Sequence, residues 1–152
     1  MIEYRPARPE EMGQFGLMGA YSYAGSFGHG PDNVVATANR PEWTLCAFDG
    51  DTLVASFCTI PFTMRALGKA MPLGGVSAIG TAPEYRRRGL LRELMTRALD
   101  RMREQGQPVA ALWASQAAIY QRYGFAQTSV RRHYTIDTVD IRFTEDPGEP
   151  PR

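Results

Sequence analysis

Residues 76–92 carry the side chains and the spacing best suited to chemistry. An apolar run, Val-Ser-Ala-Ile-Gly-Thr, passes through Ala82-Pro83-Glu84-Tyr85 into Arg86-Arg87-Arg88-Gly89 and then Leu90-Leu91-Arg92. The run reads as a strand, the Pro-marked stretch as a turn, and Leu90 onward as the opening of a helix. A loop of this kind presents backbone N–H groups that the helix leaves unpaired, at the positive end of its dipole. The chemistry it offers is anion binding, phosphate above all. A P-loop is excluded because no Gly-Lys-Ser/Thr follows the glycine. A dinucleotide fingerprint is excluded too, since one glycine stands where three are needed.

The elements that must position this loop follow from periodicity. Ile2 to Arg5 reads as a first strand, and Pro9, Glu10 and Glu11 as a helix start with proline and carboxylates in the first turn. Gly13, Gly16 and Gly19 weaken that helix, each by about 1 kcal/mol against alanine. Residues 21–33 read as a mobile loop bearing Tyr21, Tyr23 and Phe27, suited either to packing or to walling an acceptor site. A short helix after Pro31 would end at Pro41. Thr44–Phe48 and Leu53–Ile60 are β-rich runs joined by Asp49-Gly50-Asp51, a hairpin signal. The second run continues through Pro61–Arg65 to a turn at Leu67-Gly68-Lys69-Ala70. Leu73–Thr81 is the next strand, where Gly74, Gly75 and Gly80 permit a bulge or close backbone approach.

The long helix spans about Arg88 to Gln105, with Leu90, Leu91, Leu94, Met95, Ala98, Leu99 and Met102 on one face. Glu93 and Arg97 form an (i, i+4) pair on the other. Gly106 and Pro108 stop it. Val109–Ala114 is a continuous apolar run, predicting a strand covered on both faces. A second helix is expected over Gln116 to Tyr123, closed by Gly124 with Phe125 as its anchor, and Ser115 is a candidate cap. Ser129–Asp137 alternates as a strand would. Trp43 and Trp113 are expected in the core, and His29 and His133 are isolated. The end of the chain, from Glu145 to Arg152, has linker composition.

The 152 residues, 43% hydrophobic and 22% charged, suit one domain with a core of its own. A formal net charge of +1 argues against a nucleic-acid partner, although Arg86–Arg88 with Arg131 and Arg132 would supply a basic patch. No aromatic stacking pattern accompanies those arginines. The apolar runs are strand-sized, so no membrane span is expected. The first residues lack the apolar stretch of a signal peptide. Cys46 and Cys58 sit in apolar strand runs without metal or disulfide spacing and read as buried hydrophobes, which fits a cytoplasmic protein.

Arg86-Arg87-Arg88-Gly89-Leu90-Leu91, between strand and helix, resembles the Gln/Arg-x-x-Gly-x-Gly/Ala pyrophosphate loop of the GNAT superfamily of N-acetyltransferases. Leu91 stands where that pattern prefers glycine or alanine. Several further blocks are similar to the Eis-like (enhanced intracellular survival) branch. They are Gly-Gly-Val-Ser at 74–77, Ala-Pro-Glu-Tyr-Arg-Arg-Arg-Gly-Leu-Leu-Arg at 82–92, Val-Ala-Ala-Leu at 109–112, Ala-Ser at 114–115 and Ile-Tyr-Gln-Arg-Tyr-Gly-Phe at 119–125. The resemblance covers most of residues 44–137 and the first 43 only loosely.

The resemblance implies an α/β (α+β) GNAT acyl-CoA N-acyltransferase fold, with a mixed, splayed β-sheet flanked by helices over residues 1–140. Residues 141–152 would form a linker-like tail, beyond which the family's longer chains carry two further lobes. The implied cosubstrate is acetyl-CoA, with no metal, and the acceptor is a primary amine on an aminoglycoside-like molecule, a lysine or another small amine. Ile79, Gly80 and Thr81 would pair with the pantetheine arm as a quasi-strand. The amides of Arg87, Arg88, Gly89, Leu90, Leu91 and Arg92 would hold the pyrophosphate. Ser115 and Gln116 match a second cofactor contact.

Tyr120 matches the family's general acid. A phenol with pKa about 10 is close enough to a leaving thiol at about 8.5 to protonate it as a tetrahedral intermediate collapses. The N–H of Ile79 would polarise the thioester carbonyl. The family's base is the carboxylate at the extreme C-terminus of its longer chains. That role does not transfer to Arg152, which leaves Glu42, Glu84 or an ordered water. The alternative function is a non-catalytic acyl-CoA-binding lobe of a larger assembly. Self-association is left open.

Overall fold

The computed structural model describes residues 1–23, 39–130, 132, 134–137, 139, 142 and 148. Its centre is a five-stranded sheet in sequence order: β1 (Ile2–Arg5), β2 (Cys46–Asp49), β3 (Thr52–Ala66), β4 (Lys69–Thr81) and β5 (Val109–Leu112). The first four strands run antiparallel, and β5 joins β4 in parallel. Both predicted turns are present: Gly50 closes β2–β3 at φ 60°, and Leu67-Gly68 closes β3–β4. Antiparallel neighbours can take such tight turns, whereas the parallel step to β5 requires a crossover, supplied by helix α2 (Leu90–Glu104).

Alternation along β2 divides the core between the two faces. Ala47 turns toward α2, while Cys46 and Phe48 turn toward helix α1 (Met12–Ser22). The α2 stripe buries Leu90, Leu94, Met95, Ala98 and Met102. Burying a side chain the size of Leu94 or Met102 contributes about 1.5–3 kcal/mol. Gly74 and Gly75 are close-approach positions: a Cβ on the first would meet Met102 Sδ, and on the second the Phe62 ring. The start of α1 is fixed by Glu11, whose carboxylate takes two Arg5 guanidinium bonds of 2.7 Å and the Arg8 N–H at 2.7 Å. Arg5 in turn lies over the Phe48 ring at 3.8 Å.

Four expectations are corrected. Val109–Ala114 is not a strand covered on both faces: β5 ends at Leu112, and Val109 is exposed. Among the described residues β5 has β4 on one side and no strand on the other, so its apolar run marks a partly covered edge. Trp113, just past its end, is 79% exposed rather than core. Gln116–Tyr123 is not one helix but two successive 3-10 turns, Ala117–Ile119 and Gln121–Tyr123, with Tyr120 between them. Gly124 still closes the segment in the left-handed region at φ 88°. Finally, the described residues of Ser129–Asp137 form no strand, and Val130, Tyr134 and Ile136 are exposed. Alternation alone does not make a strand without a neighbour to take its hydrogen bonds. Phe27, His29, His133 and the short helix expected after Pro31 lie outside the described residues. No helix among those described is long and apolar enough to cross a membrane.

Candidate functional site

The sheet opens between β4 and β5. Their ladder has four rungs, Leu73–Val109 through Val76–Leu112, and stops there. β4 continues to Thr81, so its edge from Ser77 onward has no β5 partner. On the other side, the β3–β4 register slips between Ser56 and Cys58: Phe57 faces two residues, Ala78 and Ile79. Ala78 takes φ 49° at this bulge, a left-handed conformation uncommon for a residue with a Cβ. Side chains satisfy the displaced carbonyls. Ser56 Oγ donates to Ala78 O at 2.8 Å, and the Tyr23 hydroxyl donates to Ile79 O at 3.3 Å.

A cleft of about 720 Å³ occupies the opening. Ile79, Gly80 and Thr81 form one wall, and Arg87, Gly89, Leu90, Leu91 and Arg92 the mouth of α2. Ser115, Gln116 and Tyr120 complete the assigned set. Of the residues assigned from sequence only Arg88 is not part of the lining; its guanidinium lies over the Tyr85 ring at 4.8 Å. The mouth of α2 has the geometry expected of an anion site. Gly89 is the N-cap at φ 84°, and the first helical bond runs from Glu93 N–H to Gly89 O at 3.1 Å. The N–H groups of Leu90, Leu91 and Arg92 therefore have no partner within the helix. A Cβ at Gly89 would meet nothing within 4 Å, so space lies open in front of it. Arg87 also takes a left-handed φ of 63°. Strained backbone of this kind clusters where ligands are gripped.

Two side-chain hydrogen bonds hold the loop before α2. Tyr85 Oη donates to Asp49 Oδ2 at 2.8 Å, which ties the turn Pro83–Tyr85 to the end of β2 and pushes the Tyr85 phenol above its ordinary pKa. Arg86 Nε donates to Thr81 O at 3.3 Å.

Tyr120 is 8% exposed and packs edge-on against Phe125, with ring centroids 6.1 Å apart. Burial raises the pKa of its phenol, and the neighbouring Tyr23 adds to the shift. A buried phenol that stays protonated suits a proton donor. Ser115 does not cap a helix, because Gln116 precedes the first 3-10 turn and no side-chain cap bond forms. Neither Glu42 nor Glu84 lines the cleft.

Ser22, Tyr85, Arg86, Ile119, Arg122 and Tyr123 line the cleft without having been singled out as site residues. For all but Ser22 a signal existed, since Tyr85 and Arg86 fall inside the 82–92 block and Ile119, Arg122 and Tyr123 inside the 119–125 block. Ser22 had none, because it reaches the site only through the packing of α1 on β4.

Comparison with known proteins bears on this geometry. A model of the acetyltransferase (GNAT) domain matches residues 3–128. The chain is 35% identical over 113 residues to an uncharacterised N-acetyltransferase of Streptomyces avermitilis, covering 74% of this chain and 28% of that one. It is 40% identical over 79 residues to the N-acetyltransferase Eis of Mycobacterium tuberculosis, covering 51% of this chain and 20% of Eis. The crystal structure of Eis1 from Mycobacterium abscessus superposes with a TM-score of 0.69 at 26% identity, over 82% of this chain and 30% of that one. The chain thus spans under a third of the length of each of these relatives.

Proposed function

The chain belongs to the GNAT acetyltransferase family, and on that premise we propose that its cleft binds acetyl-CoA and delivers the acetyl group to a primary amine. One observation carries the reading: the unpaired β4 edge and the unpaired N–H groups at the mouth of α2 open onto the same cleft. An extended arm bearing amides needs the first, and a diphosphate needs the second. Acetyl-CoA joins both in one molecule.

In this reading the amides at Gly89, Leu90, Leu91 and Arg92 hold the diphosphate, with Arg87 beside them. Ile79, Gly80 and Thr81 supply main-chain partners to the pantetheine arm, and Ser115 and Gln116 line the opposite wall. The Ile79 carbonyl accepts from Tyr23, and the Ile79 N–H is the main-chain donor that polarises the thioester carbonyl in this reading. Attack by the amine on that carbonyl gives a tetrahedral intermediate, and Tyr120 protonates the sulfur as it leaves. A water in the cleft serves as base in preference to Glu42 or Glu84, neither of which lines it. The names of the relatives support N-acetyl transfer, and within the acceptor class aminoglycoside-like amines and lysine side chains are both candidates.

The test is release of free thiol from acetyl-CoA in the presence of a panel of primary amines, alongside thermal melts with and without acetyl-CoA. Stabilisation by acetyl-CoA with amine-dependent thiol release is the expected result. Stabilisation without release from any amine would favour the non-catalytic lobe, and the absence of both would overturn the cleft assignment.

A further inference from the structure

Three side-chain hydroxyls gather around the β4 bulge and Gly80, and two of them are engaged. Ser56 Oγ donates to Ala78 O, and Tyr23 Oη donates to Ile79 O. The third, Ser22 Oγ, is shut off from solvent and has no hydrogen-bond partner among the described residues. A serine near the end of a helix commonly donates to the carbonyl three or four residues before it. In α1 Ser22 makes no such bond. Ser22 also lies hard against the cleft wall, since a Cβ on Gly80 would overlap its Oγ. It lines the same cleft as Ile79, Gly80 and Tyr120.

A shielded hydroxyl without a partner costs folding free energy, and natural proteins rarely keep one without a use for it. Here it stands beside the stretch of β4 that the acetyl-CoA reading assigns to the acyl-bearing arm, and this inference rests on that reading. The oxygen that most needs donors there is the thioester carbonyl, whose negative charge grows as an amine attacks. We propose that Ser22 Oγ is a second hydrogen-bond donor to the acyl carbonyl oxygen, acting with the β4 backbone. Tyr23 holds the end of α1 to the bulge and so keeps Ser22 at the cleft wall, where its hydroxyl, closed to solvent in the empty cleft, turns about χ1 to meet the ligand.

The experiment compares calorimetric Kd values for acetyl-CoA and for S-ethyl-CoA, a thioether of similar size without the carbonyl oxygen. The parent should bind acetyl-CoA the more tightly. Ser22→Ala should shrink that preference about fivefold, through acetyl-CoA alone, while S-ethyl-CoA binds as before. A preference left unchanged, or both ligands weakened equally, would overturn the role of Ser22 while leaving the cleft assignment intact. Failure of both ligands to bind the parent would overturn the cleft reading and the Ser22 role with it.

Discussion

Gly89→Val is the sharpest probe of the cleft. At φ 84° the residue is left-handed, a conformation that costs an ordinary L-residue about 1–2 kcal/mol and a β-branched one at least that. For a domain of this size that strain lowers the melting temperature by about 2–8 °C. The added methyls would also project toward the open space where the diphosphate is expected, because no atom lies within 4 Å of a Cβ there. At a hundredfold excess over Kd, acetyl-CoA should stabilise the parent by about 2.7 kcal/mol, or about 5–11 °C. Gly68 supplies the control. It is left-handed at φ 77° with equally open surroundings, but it sits in the β3–β4 turn outside the cleft lining. Gly68→Val should therefore lose similar intrinsic stability and retain the whole ligand-induced shift. Gly89→Val should lose both. A Gly89→Val protein that still gains the full shift would refute the placement of the diphosphate.

Four other outcomes follow from the structure. Tyr120→Phe should lower kcat about a hundredfold while the acetyl-CoA melt shift persists. Since burial raises the Tyr120 phenol above its ordinary 10.0, the parent should lose its proton donor only above pH 10, read from the alkaline limb of kcat. Glu11 is held at about 2 by its hydrogen bonds to Arg5, against an ordinary value of 4.5, so its contribution to stability is full above about pH 4.5 and is lost as pH falls toward 2. Melts across that range should show Glu11→Gln less stable near neutrality and flatter in acid; matching slopes for the two proteins would sink the assignment. Burial pushes Cys46 to about 11 and Cys58 to about 12, so neither thiol should react with a disulfide reagent in the native state and both should after denaturation.

The residues announce some of this architecture and conceal the rest for physical reasons. Asp49-Gly50-Asp51 and Leu67-Gly68 marked both hairpins because left-handed turns need particular residues. The α2 stripe named its buried face because helical periodicity and burial coincide there. Gly89 was legible for the same local reason, as a glycine at a helix mouth after a basic run. The 3-10 turns around Tyr120 were read as a helix because a terminal glycine and short apolar spacing serve both forms equally. Val109–Ala114 looked fully covered because an apolar run reports composition, whereas coverage depends on which strands flank it. Ser22 lies 58 residues before Gly80 in sequence, and only the packing of α1 against β4 brings them together.

The short parallel ladder has one more implication. Four rungs bind β5 to its neighbour, and past Val76 and Leu112 the two chains go separate ways, leaving an unfinished seam in the interior of the sheet. A ligand lying along that seam would act as a missing strand, stitching to one side by main-chain bonds and bracing the other. Cofactor occupancy would then add to the cohesion of the domain, bracing the two halves of the sheet across the gap that its own strands leave.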